Sequence, residues 1–173
     1  VRLLAVIFGV SYSFAAFFAS FAAEFAARRA DVSLVFGLSG LIYFVLGAGG
    51  GMLSDRFGPR VVCCAGMLII ALGLAGGSVA GSMMAVYAAW GVGIGIGIAL
   101  VYTPAIACVQ PWFSQRRGLA AGIASAGIGA GTVVVPLLAT AAIDLWDWRG
   151  AMRAVAVGVL VCGLGAAWWL RRA

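Results

Sequence analysis

Gly51-Met52-Leu53-Ser54-Asp55-Arg56-Phe57-Gly58-Pro59-Arg60 decides the architecture through what lies on either side of it. Residues 34–53 carry no charge, and neither do residues 61–80. An uncharged run of roughly 20 residues is what one α-helix needs to cross the hydrocarbon of a bilayer. Between the two runs stand one acid, two arginines and the turn formers Gly58 and Pro59. Charges of this kind belong in water, so the segment reads as a short loop joining two antiparallel membrane helices.

Working outward, the same pattern repeats at about 3–26, 83–109, 119–143 and 150–170, with at most one charge in each run. The runs are continuous and far longer than a barrel strand, which alternates lipid-facing and lumen-facing residues. The expectation is an all-α membrane protein with six transmembrane helices. Val1 and the arginine pair near Ala173 read as cuts in a longer sequence, and the apolar start runs past signal-peptide length with no cleavage pattern after it.

Composition excludes several function classes. Of 173 residues, 65% are hydrophobic and 9% charged, with no Lys or His, whereas soluble domains carry roughly a quarter charged residues. The net charge of +6 resides in short arginine groups between apolar runs, without the basic, aromatic-interleaved stripe that nucleic acid requires, so no nucleic-acid partner is expected. Cys63, Cys64, Cys108 and Cys162 have no metal-ligand spacing; they read as packing residues, and neither metal nor cofactor is expected. Intramembrane hydrolysis needs His, paired acids or a Ser/Lys set within the spans. None is present, so the chain does not read as an enzyme.

Orientation follows from the arginines in the connections. One side holds Arg2, Arg56, Arg60, Arg116, Arg117, Arg171 and Arg172 against Asp55; the other holds Arg28, Arg29, Arg149 and Arg153 against Glu24, Asp31, Asp144 and Asp147. The richer side is expected in the cytoplasm, which places both termini there, in a multi-pass protein of the cell membrane. Glycines at alternate positions, Gly91, Gly93, Gly95 and Gly97, smooth two opposite faces of the fourth span, so that span is expected between two neighbours. Gly118, Gly122, Ser125 and Gly129 form a similar packing stripe in the fifth. Lipid offers no hydrophobic drive for association, so small residues that let backbones approach hold such bundles together. Pro104, Pro111 and Pro136 predict kinks beside these stripes.

The quoted loop resembles the signature loop of the major facilitator superfamily, G-x-L-x-D-R-x-G-x-x, carried here by Gly51, Asp55, Arg56, Gly58 and Arg60, with Pro59 where the family usually has a basic residue. Trp112-Phe113-Ser114-Gln115-Arg116-Arg117-Gly118-Leu119-Ala120, with Gly122 and Gly129 beyond it and Tyr102-Thr103-Pro104 before it, is similar to the monocarboxylate-transporter branch and its relative, the oxalate–formate antiporter. Asp147-Trp148-Arg149-Gly150 resembles the outer turn before a sixth facilitator helix. The resemblance implies residues 1–173 are the N-terminal six-helix half of a twelve-helix carrier, built from two inverted three-helix repeats, with a C-terminal half as partner. It implies alternating-access transport of a small anion, a monocarboxylate or dicarboxylate, and Asp55 gripping the other half when the inner gate is shut. Another small solute, or a half-transporter subunit, remains the alternative. The chain departs from the animal monocarboxylate carriers in having no basic residue between Arg2 and Arg28.

A substrate cavity therefore needs a polar, aromatic wall from this half. Ser13, Phe17, Ser20 and Glu24 recur at spacings that put them on one face of the first helix. Tyr12 lies beside that stripe, and Tyr43 and Tyr102 sit in the second and fourth spans, away from the charged loops. These residues are the expected cavity wall.

Overall fold

The structure is a computed structural model that describes residues 2–109 and 117–169. All regular elements in it are helical. Helix α1 is Arg2–Glu24, α2 is Arg29–Phe57 and α3 is Pro59–Ser78. Helix α4 covers 83–109, running from Met83–Val86 through a π-helical stretch, Tyr87–Ile94, into Gly95–Val109.

Five helices among the described residues are long and apolar enough to cross a membrane, and the last, Ala121–Trp168, has 48 residues. Straight, it would span about 72 Å, over twice the hydrocarbon thickness. Asp147 breaks it with φ 69° and ψ 163°, backbone angles that are costly for any residue but glycine. We label the two arms α5 (117–146) and α6 (148–168). Leu138 and Ala142 of α5 line the same groove as Val155 and Val159 of α6, so the arms fold back side by side. Gly150 permits the reversal, because a methyl group there would stand 2.8 Å from Trp146 Cβ.

Two boundaries differ from the sequence reading. Helix α2 was expected over 34–53 and runs Arg29–Phe57. Hydropathy senses only the stretch inside hydrocarbon, while backbone hydrogen bonding continues into the headgroup layer. There Asp31 in the first turn and Arg56 in the last suit the helix dipole. The expected loop over 51–60 is consequently helical as far as Phe57. The turn is Gly58 alone, at φ 89° and ψ 146°, its N–H donating to the Ser54 carbonyl at 2.9 Å, and Pro59 opens α3. A positive φ at that position favours glycine.

Helix α1 packs chiefly on α5, α2 on α4, and α3 on both α4 and α6. The alternate glycines of α4 meet two partners. A methyl group on Gly91 would stand 2.8 Å from the Leu38 side chain, and one on Gly95 2.9 Å from the Ser39 carbonyl, both on α2. One on Gly93 would stand 3.3 Å from Gly73 Cα, and one on Gly97 2.9 Å from the Gly66 carbonyl, both on α3. In the fifth-span stripe, methyl groups on Gly118, Gly122 or Gly129 would meet nothing within 4 Å among the described residues. Helix α5 packs instead through Gly131, pressed on the Ala5 backbone, and Val135, which meets Gly9. Gly129 and Gly131 are two residues apart and point to nearly opposite sides.

An aromatic cluster fills the centre of the bundle. Trp90 of α4 lies 5.3 Å from Phe14 and 5.7 Å from Phe17, and Phe21 lies 5.4 Å from Trp148 of α6, centroid to centroid. At the end where α1 and α3 finish, Arg149 donates to the Ser78 carbonyl (3.1 Å) and to Glu24 (3.4 Å), and Arg153 to the Ser78 hydroxyl (3.3 Å). The opposite end carries Gly58 and Arg60, whose guanidinium lies 3.6 Å over the Trp168 ring. Among the described residues, Arg56 and Arg60 thus lie at the end opposite Arg149 and Arg153.

Candidate functional site

The three tyrosines come together where α1, α2 and α4 converge. Tyr43 and Tyr102 meet edge to face at 5.5 Å and 82°, and Phe8 abuts Tyr102 at 5.6 Å and 77°. Tyr12 lies 6.0 Å from Phe36, and Tyr43 is within electrostatic reach of both the Tyr12 and Tyr102 phenols. Tyr12 is 49% exposed and Phe36 38%, while Phe8, Tyr43 and Tyr102 are half-buried. The five rings form one face that the other described residues leave partly open. Thr103 ties α4 to α2 beside it, donating to the Gly47 carbonyl at 2.9 Å.

Ser13 and Phe17 do not belong to this face. Both are fully buried; the Ser13 hydroxyl donates to the Val10 carbonyl at 2.6 Å, and Phe17 stacks on Phe21 and meets Trp90 at a tilt of 58°. Ser20 is half-buried on that same side of the helix. The spacing places Ser13, Phe17 and Ser20 on one side of α1, and that side faces the interior of the bundle. In a helix that is apolar all round, the packed and open faces are alike in sequence. Successive residues are 100° apart, so Tyr12 opens outward while its neighbour Ser13 is enclosed. Phe8 and Phe36 were missed because a phenylalanine in a membrane helix carries no signal separating wall from core.

At the far end of α2, Gly51 faces Thr103, whose Cγ2 would stand 3.1 Å from an added methyl, and Gly50 presses on the Ala99 backbone of α4. Asp55 and Arg56 are exposed, and Arg56 lies 5.4 Å over the Phe57 ring. Trp112, Phe113 and Arg116 lie outside the described residues; the backbone of Arg117 opens α5, and Gly118 follows it on the surface. Among the described residues, no group of three or more metal-binding side chains forms.

A family model, that of the Major Facilitator Superfamily, matches residues 3–173. The chain belongs to that superfamily. It is therefore an integral membrane protein of a transporter family, whose members are carriers and not enzymes. Monocarboxylate transporter 13 of Rattus norvegicus is 36% identical over 120 residues, covering 69% of this chain and 28% of that protein. The Oxalate:formate antiporter of Oxalobacter formigenes is 32% identical over 126 residues, covering 73% and 30%. The Fujikurins efflux protein of Gibberella fujikuroi is 39% identical over 84 residues, covering 47% and 18%. The chain thus spans less than a third of the length of each. The resemblance drawn from the loop and the later motifs was to this superfamily and to its monocarboxylate and oxalate–formate members.

Proposed function

We propose that this facilitator chain is the N-terminal half of a secondary transporter that carries a small organic anion, most simply a monocarboxylate, by alternating access. The observation carrying this reading is the partly open face holding Tyr12, Tyr43 and Tyr102. Phenol hydroxyls in the membrane interior offer hydrogen-bond donors to a carboxylate without the cost of a buried cation. The names of the monocarboxylate and oxalate relatives support the same solute class. In this reading a C-terminal six-helix half closes the cavity and supplies the charge that neutralises the anion. Each half is built of two inverted three-helix repeats, and both ends of this segment lie in the cytoplasm, where the arginine-rich end belongs. Gly51, Asp55, Arg56, Gly58 and Arg60 form the inner gate. The glycines and serine that α5 leaves open, Gly118, Gly122, Ser125 and Gly129, are where another helix approaches.

The deciding experiment is uptake of labelled carboxylates by vesicles containing the full-length protein. Saturable uptake of a monocarboxylate supports the reading. Uptake of a sugar or an uncharged drug, with no response to any carboxylate, overturns it.

A further inference from the structure

Helices α1, α5 and α6 enclose a groove of about 330 Å³, walled by Val10 of α1, Leu138 of α5 and Val155, Gly158 and Cys162 of α6, with Trp146 at the end where the arms join. None of its lining residues carries a charge. The groove opens at the surface, where Leu138, Trp146 and Cys162 are exposed. Small side chains leave the space: a methyl group on Gly158 would find nothing within 4 Å. Elsewhere in the bundle a glycine between helices marks backbones in contact, as at Gly95 and Gly97. Here it leaves room. Val155 holds one side-chain rotamer in a helix and does not swing in to fill it.

The groove faces away from the other open surfaces of the same helices. Val10 stands two residues from Tyr12, so it points to nearly the opposite side of α1 from the tyrosine face. Leu138 stands nine residues beyond Gly129, about two and a half turns, on the side of α5 away from the glycine stripe. In a membrane-spanning bundle, what borders the remaining side is the bilayer. A groove left unfilled forfeits dispersion contacts along its whole lining. A hydrocarbon chain restores them and brings no polar group to be desolvated. Its length also suits. Ala154 to Cys162 advance about 12 Å along α6, and one leaflet of hydrocarbon is about 15 Å deep. Trp146, an amphipathic ring of the kind that sits at headgroup level, marks the mouth.

We propose that this groove is a binding site for one acyl chain of a bilayer phospholipid, which stays with the protein as a structural ligand between α1, α5 and α6. The proposal uses the α5 reading above for where another helix approaches, and is independent of which solute is carried.

The test reconstitutes the full-length protein in phosphatidylcholine vesicles doped with a phosphatidylcholine that carries a diazirine in one acyl chain. After photolysis, label should concentrate on peptides holding residues 135–142 and 154–162, severalfold above those of α3. Label spread evenly over the helices overturns the site. Label absent from those two peptides also overturns it, by assigning the groove to another protein segment. Phospholipid retained after gel filtration in detergent, read by mass spectrometry, gives a second measure. Wild-type protein should retain one molecule, Gly158→Phe should lose it, and Val161→Phe, which adds the same ring at an exposed position outside the lining, should keep it. A wild-type protein that retains none, equal retention by both variants, or a free fatty acid in place of phospholipid overturns the proposal. Failure of carboxylate uptake with this labelling pattern intact supports the lipid site and overturns only the solute reading.

Discussion

Arg149 and Ser78 join the start of α6 to the end of α3: the guanidinium donates to the Ser78 carbonyl at 3.1 Å while lying 4.4 Å over the Trp148 ring. That carbonyl belongs to the last turn of α3, where backbone acceptors lack helical partners and the dipole favours a cation. The companion contact to Glu24 is longer, at 3.4 Å, with both side chains partly exposed, and exposed ion pairs contribute little. Arg149→Gln should therefore cost about 1–2 kcal/mol, and Glu24→Gln well under half of that. Unfolding of the purified protein in detergent, read for both variants, checks the order; equal losses would shift the weight to the ion pair.

Gly131 and Gly129 offer a contrast within one helix. A methyl group on Gly131 collides with the Ala5 backbone, whereas one on Gly129 meets nothing within 4 Å. Gly131→Ala should cost about 1–3 kcal/mol through overpacking. Gly129→Ala should be neutral or slightly favourable within this chain, since alanine is the better helix former. Detergent melting temperatures of the two variants distinguish them, and a neutral Gly131→Ala would mean that α1 and α5 do not cross there.

Asp55 lies exposed in the last turn of α2, three residues before the Gly58 reversal. If it latches the inner gate, Asp55→Asn keeps the shape, removes the charge and lowers the transport rate of the full-length protein while insertion stays normal. An unchanged rate at equal protein content would sink the latch.

Phe57 is 55% exposed at the end that carries Arg60. Phe57→Cys, in a background with the native cysteines replaced, should react with a membrane-impermeant thiol reagent only after the cytoplasmic face is opened. Labelling of intact cells would invert the orientation.

Tyr12→Phe and Tyr102→Phe each remove one hydroxyl and keep the ring contacts with Phe36 and Phe8. Each should weaken carboxylate binding by about 0.5–1.5 kcal/mol, roughly threefold to tenfold in apparent affinity. Saturation curves for uptake measure this; if neither constant moves, the phenols serve packing alone.

What the sequence determined by itself follows from terms that act along the chain. Uncharged runs of membrane length gave the helices, and Gly58-Pro59 marked the reversal. The alternation of Gly91, Gly93, Gly95 and Gly97 told that two neighbours approach α4, because residues two apart must face opposite ways whatever the partners are. Which neighbours those are, α2 and α3, was decided only in three dimensions. So was the fate of two further stripes. Ser13 and Phe17 are enclosed while Tyr12 is open, and Gly131 is packed while Gly129 is bare. In water a packed face announces itself by being apolar; in lipid both faces are apolar, and the difference appears only when the helices meet.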